Sequence, residues 1–448
     1  MHIFPDLARL EKTYAQELTV VGIHSAKFPG EKHAEAIRNA ARRYGLRHPI
    51  LNDAESKVWR RYGVRAWPTI VLLDTRGRML GKVEGEGHSK ALEKAVKQLI
   101  AEGEKNGTLK RGKLEFVKPV EVPQGTLAFP GKVLADPAGK RLFIADTLHR
   151  RILVTDVDGK VLQVIGSGKT GSTDGSARTA SFVWPQGMAL HKKRLLVTDT
   201  EAHRIRAIDL QTWNVSTLAG TGAQTFVSGW PKPSPARETA LNSPWDLTVV
   251  GDTAYIAMAG DHRLWSLDLA KNTIAPFAGS GRENIDDGAY DKASFSQPSG
   301  IYADGDSLWI ADSEDSAIRR VDLVRKRVET VVGLGLFEFG DVDGKGRRVR
   351  LQHPLHVIPW KGKLLVADTY NHKIKLINPK DRSSVTLAGT GARGAKDGGL
   401  LEATFNEPSG LTLLGDKLFV ADTNNHALRV IDLANDTVTT VKVRLPAK

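Results

Sequence analysis

Asp, Thr, His and Arg recur along this chain at one fixed local spacing, and such residues can ligate a metal or relay a proton. Asp146-Thr147 is followed by His149-Arg150, Asp199-Thr200 by His203-Arg204, and Asp312-Ser313 by Ser316. Asp368-Thr369 precedes His372, and Asp422-Thr423 precedes His426. A sixth copy, Ile256-Ala257-Met258-Ala259 with His262-Arg263, keeps the histidine but has lost the acid. One ion needs its ligands within about 2–2.5 Å, which related positions in successive copies cannot meet. The expectation is therefore scaffolding: the Asp-Thr pair bonds its own backbone at a strand end, and the following His or Arg packs across the hairpin.

The Asp-Gly pairs at Asp174-Gly175, Asp287-Gly288, Asp343-Gly344 and Asp397-Gly398 resemble fragments of calcium loops. The best of them, Asp341-Val342-Asp343-Gly344, lacks the third oxygen ligand and the terminal glutamate. Turn geometry between repeats explains them better, and no metal or cofactor is expected. His356 and Asp246 are the suggestive polar residues near the apolar first strands, and two residues do not make a metal-dependent site.

The elements that must carry these residues follow from the period. Taking Met258 as the replaced acid, anchors fall at 146, 199, 258, 312, 368 and 422, with intervals of 53, 59, 54, 56 and 54 residues. A fixed period near fifty signals a propeller or solenoid. Each unit opens on a Pro-x-Gly type turn, as in Pro185-Gln186-Gly187, and holds four short β-rich runs between turn signals. Such a sheet cannot bury both faces alone, and radial packing of six solves this. The first hundred residues alternate strands with helices and read as α/β. The fold class is thus multidomain: residues 1–104 an α/β domain, 105–125 a linker, and 126–448 an all-β six-bladed propeller.

The repeats resemble NHL repeats, with their apolar run, Ala-Asp-Thr, x-Asn-His-Arg-Ile pattern and second apolar run. Val64-Arg65-Ala66-Trp67-Pro68-Thr69-Ile70 resembles the cis-proline loop of thioredoxin-like proteins. Because cis bonds belong almost entirely to proline, Trp67-Pro68 is the candidate for one. The architecture is similar to the NHL repeat-containing protein 2 family, whose Cys-Cys-Ile-Asn-Cys type motif precedes a His-x-x-Pro-Asp-Leu helix. His2-Ile3-Phe4-Pro5-Asp6-Leu7 matches that sequel, and His24-Ser25-Ala26-Lys27-Phe28 matches a later stretch.

The resemblance implies thiol-disulfide chemistry, which needs a Cys-x-x-Cys pair at a helix N-terminus. The sequence has no cysteine. Two expectations stay open: a start misread at an internal methionine, with the first strand and the motif upstream, or a remnant kept as a structural collar. The resemblance implies a thioredoxin-like substrate groove at Trp67, Pro68 and Thr69. Binding candidates on the propeller's loop face are Arg150, His203, Glu314, Tyr370, Asn371 and Asn424.

Lysine and arginine number 64 against 51 acids, a formal charge of +13. The densest basic groups are Arg150-Arg151, Lys192-Lys193-Arg194, Arg319-Arg320 with Arg325-Lys326-Arg327, and Arg347-Arg348. They fall at turns or alternate with apolar strand positions, which reads as solvated faces. NHL propellers of some other families bind RNA on a basic face, which keeps nucleic acid as an alternative partner. No stretch approaches the roughly twenty apolar residues of a membrane span, and the N-terminus lacks a signal-peptide layout; a cytoplasmic, membrane-free protein is expected. The functional expectation is a non-catalytic binding or scaffold protein that grips a protein or peptide on the propeller face. Its alternatives are a thiol-disulfide oxidoreductase with its motif upstream, and an RNA-binding or metal-dependent propeller.

Overall fold

A computed structural model describes residues 3–112 and 123–446. Met1, His2 and residues 113–122 of the expected linker lie outside them. The chain forms two compact units, Met1–Val122 and Pro123–Lys448.

In the first unit, α1 (Phe4–Thr13) has Pro5 in its opening turn and buries Leu10. Phe4 sets its ring 5.6 Å from that of Tyr44, and Phe4, Leu7, Leu10 and Tyr14, at helical spacing, are all buried or half-buried and form the inward face. Strand β1 (Gly22–His24) leads to α2 (Ala34–Arg43), which buries Ala36, Ile37 and Ala41. β2 (Ile50–Asn52) pairs parallel with β1, Gly22 opposite Ile50. α3 (Lys57–Arg61) follows, then β3 (Thr69–Leu73) and β4 (Met79–Glu84), which pair antiparallel, and α4 (Ser89–Lys105) ends the unit. β1 with β2 and β3 with β4 remain two separate two-stranded sheets. The apolar side chains of Val21, Ile23, Leu51, Leu73, Met79 and Leu80 are correspondingly exposed.

The second unit is a six-bladed propeller of antiparallel meanders. The blades span residues 130–165, 185–219, 244–278, 298–332, 356–388 and 408–441, and each supplies its own four strands. In blades 3 to 6 the preceding loop adds a two-residue fifth strand, such as Gly288–Ala289 against Val328 and Arg327. The apolar core consists of six clusters, each joining two neighbouring blades. One of them joins Phe419, Ala421 and Leu428 of blade 6 to Leu142 and Ile144 of blade 1. That cluster closes the ring, and the carboxy-terminal segment adds a parallel bridge from Arg444 to Lys160. Small buried residues such as Ala145, Ala257, Ala311, Ala367 and Ala421 at the second-strand ends let the wedge-shaped blades converge.

Candidate functional site

The recurrent aspartate is fully buried in five blades. Each accepts a backbone N–H from the segment entering its own blade: Ala128 to Asp146 at 2.7 Å, Trp184 to Asp199 at 2.6 Å, Ser296 to Asp312 at 2.7 Å, Gln352 to Asp368 at 2.7 Å and Asn406 to Asp422 at 2.8 Å. Burial pushes Asp199 and Asp422 up to about 6 and Asp368 up to about 7, against the pull of those donors.

The next hydroxyl donates to the proline carbonyl that opens the following blade. Thr147 reaches Pro185 at 2.8 Å, Thr200 Pro244 at 2.8 Å, Ser313 Pro354 at 2.7 Å and Thr369 Pro408 at 2.8 Å. Thr423 reaches Pro130 of blade 1 at 2.8 Å and completes the circle. The histidines take left-handed backbone, φ 52° to 55° at His203, His262, His372 and His426. Their Nδ1 atoms accept N–H groups of the next blade, from Ser243, Gln297, Glu407 and Phe129 at 3.1 to 3.3 Å. The motif stitches each blade to the next.

In four of these five blades a cation seven residues after the aspartate ties the blade together. In blade 1 that position is Leu153, and Arg151 meets the buried Asp146 instead at 2.8 Å. Arg206, Arg319 and Arg429, with Lys375 in blade 5, are fully buried. Arg319 and Arg429 meet Asp312 and Asp422 at 3.0 and 2.9 Å while also reaching Asp287 and Asp397 of the Asp-Gly loops, at 3.0 and 2.7 Å. Each guanidinium also lies over a phenylalanine ring (Phe182, Phe295 or Phe405), 5.1 to 5.3 Å from its centroid. Asp174 and Asp343 of the other Asp-Gly loops hold Arg206 and Lys375 likewise. Reading Arg319 as part of a solvated face was therefore wrong, since the arginine is a buried counter-ion. Blade 3 replaces both charges together, with Met258 in the acid slot and Trp265 in the cation slot, both buried. Paired loss avoids an uncompensated buried charge.

The second residue after each blade-opening proline faces the axis. Those residues are Lys132, Gly187, Asp246, Gly300, His356 and Gly410, an alternation of side chain and glycine. A Cβ on Gly187 would lie 2.4 Å from Asp246 Cα, and one on Gly410 would lie 2.6 Å from Lys132 Cα. The glycines thus let blades 1, 3 and 5 bring their side chains together. Lys132 Nζ donates to Asp246 at 2.9 Å and to the carbonyls of Ser299 at 3.2 Å and Leu355 at 2.8 Å. His356 Nε2 lies 3.3 Å from the same Asp246 oxygen, and its Nδ1 accepts the Leu411 N–H at 2.9 Å.

All three side chains are buried. Burial holds Lys132 below its usual value despite Asp246. Burial would raise Asp246, but the charge of Lys132 and the bond to His356 keep it below the ordinary carboxylate range. Burial and the Lys132 charge hold His356 low. His356 and Asp246 do converge, joined by Lys132, and the result is a closed, self-neutralised pin across the axis. Among the described residues no group of three or more His, Asp or Glu side chains is placed to hold a metal ion.

In each antiparallel meander the second-to-third-strand turns lie at the end where the first strand begins, so this end carries the pin and the recurrent motif. The six loop-face candidates lie here but none stands free in solvent. Arg150, His203, Glu314 and Tyr370 are half-buried, Asn371 and Asn424 buried. His203 serves the blade junction, and Asn371 donates to Gly340 O and Asp368. Glu314 and Tyr370 do meet, through His353: its ring stacks on Tyr370 at 4.5 Å, and its Nδ1 is 3.4 Å from Glu314.

Larger exposed groups sit on two lengthened inter-blade loops at the same end. Phe226 and Trp230 belong to the loop whose Val227 carbonyl accepts from Arg263 beside blade 3's turn. Phe337 belongs to the loop whose Gly340 is held by Asn371 of blade 5's turn.

In the first unit, Trp67-Pro68 is cis. The half-exposed Trp67 indole donates to Ser25 O at 2.9 Å and lies 4.5 Å from the Trp59 ring. Thr69 Oγ1 donates to Ala66 O at 2.7 Å. Asp53, accepting from Ser25 Oγ, Val58 N and Trp59 N at 2.9 to 3.0 Å, fixes α3 beside this loop.

A thioredoxin-like family model matches residues 1–79, and an NHL repeat model matches residues 405–431. The chain is 41% identical over its whole length to NHL repeat-containing protein 2 of Gallus gallus. It belongs to the NHL repeat-containing protein 2 family. It spans 66% of the length of that chicken relative. It is also 42% identical, over 97% of its length, to protein SUPPRESSOR OF QUENCHING 1, chloroplastic, of Arabidopsis thaliana, of which it covers 43%. Sixty-four residues, 14% of the chain, are 30% identical to thiol-disulfide oxidoreductase ResA of Bacillus thuringiensis subsp. konkukian, covering 37% of that protein.

In this family member, sequence reasoning missed Lys132, Phe226, Trp230 and Phe337. Superposing the six proline-led openings would have found Lys132 through the Lys-Gly-Asp-Gly-His-Gly alternation. The 59-residue interval pointed to the loop of Phe226 and Trp230.

Proposed function

We propose that the chain is a binding scaffold whose propeller engages a protein or peptide partner at the end bearing the second-to-third-strand turns. The observation that carries this is the exposure of Phe226, Trp230 and Phe337 on two lengthened loops at that end. The recurrent polar residues beneath them are consumed by blade-to-blade bonds, so specificity falls to what the loops add. Aromatic anchors of this kind dominate the energetics of protein interfaces. The test compares partners crosslinked in the native cell to the wild-type chain and to a Phe226→Ala, Trp230→Ala, Phe337→Ala triple variant. Loss of a defined partner, at unchanged melting temperature, supports the scaffold. An unchanged partner set removes it.

A second reading rests on the amino-terminal unit. β1 and β3 sit in separate sheets with exposed apolar neighbours, beside a cis-proline loop of thioredoxin type. We infer that a further strand completes this sheet and that Trp67, Pro68 and Thr69 line a groove for an extended peptide. Thiol chemistry there would need cysteine from outside these 448 residues, which contain none. Peptide mapping of the protein from its native cell decides: a cysteine pair alkylated only after reduction supports this reading, and a map confined to these residues opposes it.

A further inference from the structure

Five of the six blades present an uncharged row to the blade that follows, and blade 4 does not. The row crosses the four strands at one register: Leu134–Phe143–Val154–Gln163 in blade 1, Ala189–Leu196–Ala207–Ser216 in blade 2, and Thr248–Tyr255–Ser266–Ala275 in blade 3. In blades 5 and 6 it is Ile358–Leu365–Leu376–Val385 and Thr412–Phe419–Val430–Thr439. In blade 4 it is Tyr302–Trp309–Arg320–Glu329. Where the charged pair replaces apolar filling, a cavity of about 340 Å³ opens between blades 4 and 5.

Its lining divides chemically. Trp309 and Pro379 form apolar walls, while Arg320, Lys380 and Arg382 bring three cations against the single acid Glu329. The Arg320 guanidinium is held in place: Nε donates to Ser307 Oγ at 2.9 Å, Nη2 is 3.3 Å from Asp322, and the group lies 6.0 Å from the Trp309 ring centroid. Lys380 and Arg382 stand on blade 5's third-to-fourth-strand turn, exposed and without an ion-pair partner among the described residues. This turn is at the end opposite Phe226 and Phe337, so the cavity is independent of the face proposed above.

We propose that the cavity binds a carboxylate carried on an apolar body about the size of one aromatic residue. A fixed guanidinium is the group that pairs a planar carboxylate in two-pronged fashion. The volume falls at the small end of ligand pockets, about 300–1,000 Å³. Arg320 is balanced by Asp322 and Glu329, so Lys380 and Arg382 supply the positive charge that selects against neutral analogues, and Trp309 and Pro379 supply the apolar lining.

The test is calorimetric titration of the full chain with N-acetyl-phenylalanine, its carboxamide, and a five-residue peptide ending in phenylalanine. The expected result is binding of the free acid, at least tenfold weaker binding of the carboxamide, and at least tenfold loss in Lys380→Ala/Arg382→Ala. Those two substitutions lie on an exposed turn and should leave the melting temperature unchanged, which separates loss of the site from loss of the fold. If the peptide binds more tightly than the acetylated residue, the natural ligand is a chain terminus; the reverse order points to a free organic acid. No binding of either acid at millimolar concentration, equal binding of acid and amide, or full binding by the double variant overturns the proposal.

Discussion

The two units answer the same sheet problem differently. Each propeller blade gives both faces to neighbours, and bonds such as Thr423 to Pro130 return the last blade to the first. The amino-terminal unit has strands of three to six residues in two separate pairs. Its buried apolar set is short (Leu10, Phe28, Ala36, Ile37, Ala41 and Val96), and much of its strand surface faces water. Exposed strand edges invite pairing with another chain, whereas a closed ring of blades leaves only short edges. The contrast teaches that the propeller closes on its own strands, whereas the first unit leaves apolar strand surface uncovered among the described residues.

The largest test of that contrast strikes the axis. Lys132→Ala leaves Asp246 buried beside His356 without its cation, which should cost about 3–5 kcal/mol. Hydrogen exchange followed by mass spectrometry should show faster exchange in blade strands and no change over residues 3–112. Exchange that accelerates in both units would mean they do not unfold independently. Somewhat smaller effects are expected in blade 3. Met258→Asp alone places a carboxylate in an apolar slot, and adding Trp265→Arg should restore the pair found in its neighbours. Denaturant midpoints of the two single variants and the double should give a favourable coupling of about 0.5–3 kcal/mol; strict additivity would refute the paired-replacement account.

The contrast also governs what could be read from sequence. Turn residues act locally, so the repeats and the scaffolding role of Asp146 through Asp422 were legible. The buried arginines were not, because alternation in a strand reads the same whether the far face meets water or another blade. The one sequence signal for Arg319 was a cation seven residues after the aspartate, shared by blades 2, 4, 5 and 6 but not by blade 1, where the position is Leu153. The axial pin was hidden for another reason: Lys132, Asp246 and His356 are more than a hundred residues apart and meet only once the ring closes. The cavity beside Arg320 needed two blades in register before an ordinary Arg–Glu cross-strand pair became a missing wall. In the first unit, Trp67-Pro68 was legible only through the resemblance of residues 64–70 to the thioredoxin cis-proline loop, since most X-Pro bonds are trans.

A smaller effect concerns pH. His356 is held below its ordinary value of 6.5 by burial and by Lys132. The unfolded chain therefore takes up this proton first, so the stability His356 contributes is complete above about pH 6.5 and declines as pH falls below it. Each unit of depression corresponds to about 1.4 kcal/mol. Asp199, Asp368 and Asp422 act oppositely: their raised values make the folded state the stronger proton binder, adding stability as pH falls through about 7 to 4. The difference in melting temperature between wild type and His356→Asn isolates the histidine. That difference should shrink between pH 7 and pH 5, and a constant difference would show that His356 gains no proton in this range.

The smallest effect sharpens the comparison most. Ile23 on β1 is 42% exposed and Leu80 on β4 is 53% exposed. Ile23→Thr and Leu80→Lys remove apolar surface that already meets water, so each should shift the stability of these 448 residues by no more than about 0.5 kcal/mol. A strand or partner lying over β1 in the native cell would change that: Ile23 would then be a buried side chain, and the threonine hydroxyl would enter an apolar seam. Ile23→Thr in the protein recovered from its native cell should then cost more than about 1 kcal/mol. The same substitution measured on both materials thus reports whether the first unit is completed by something the propeller does not need.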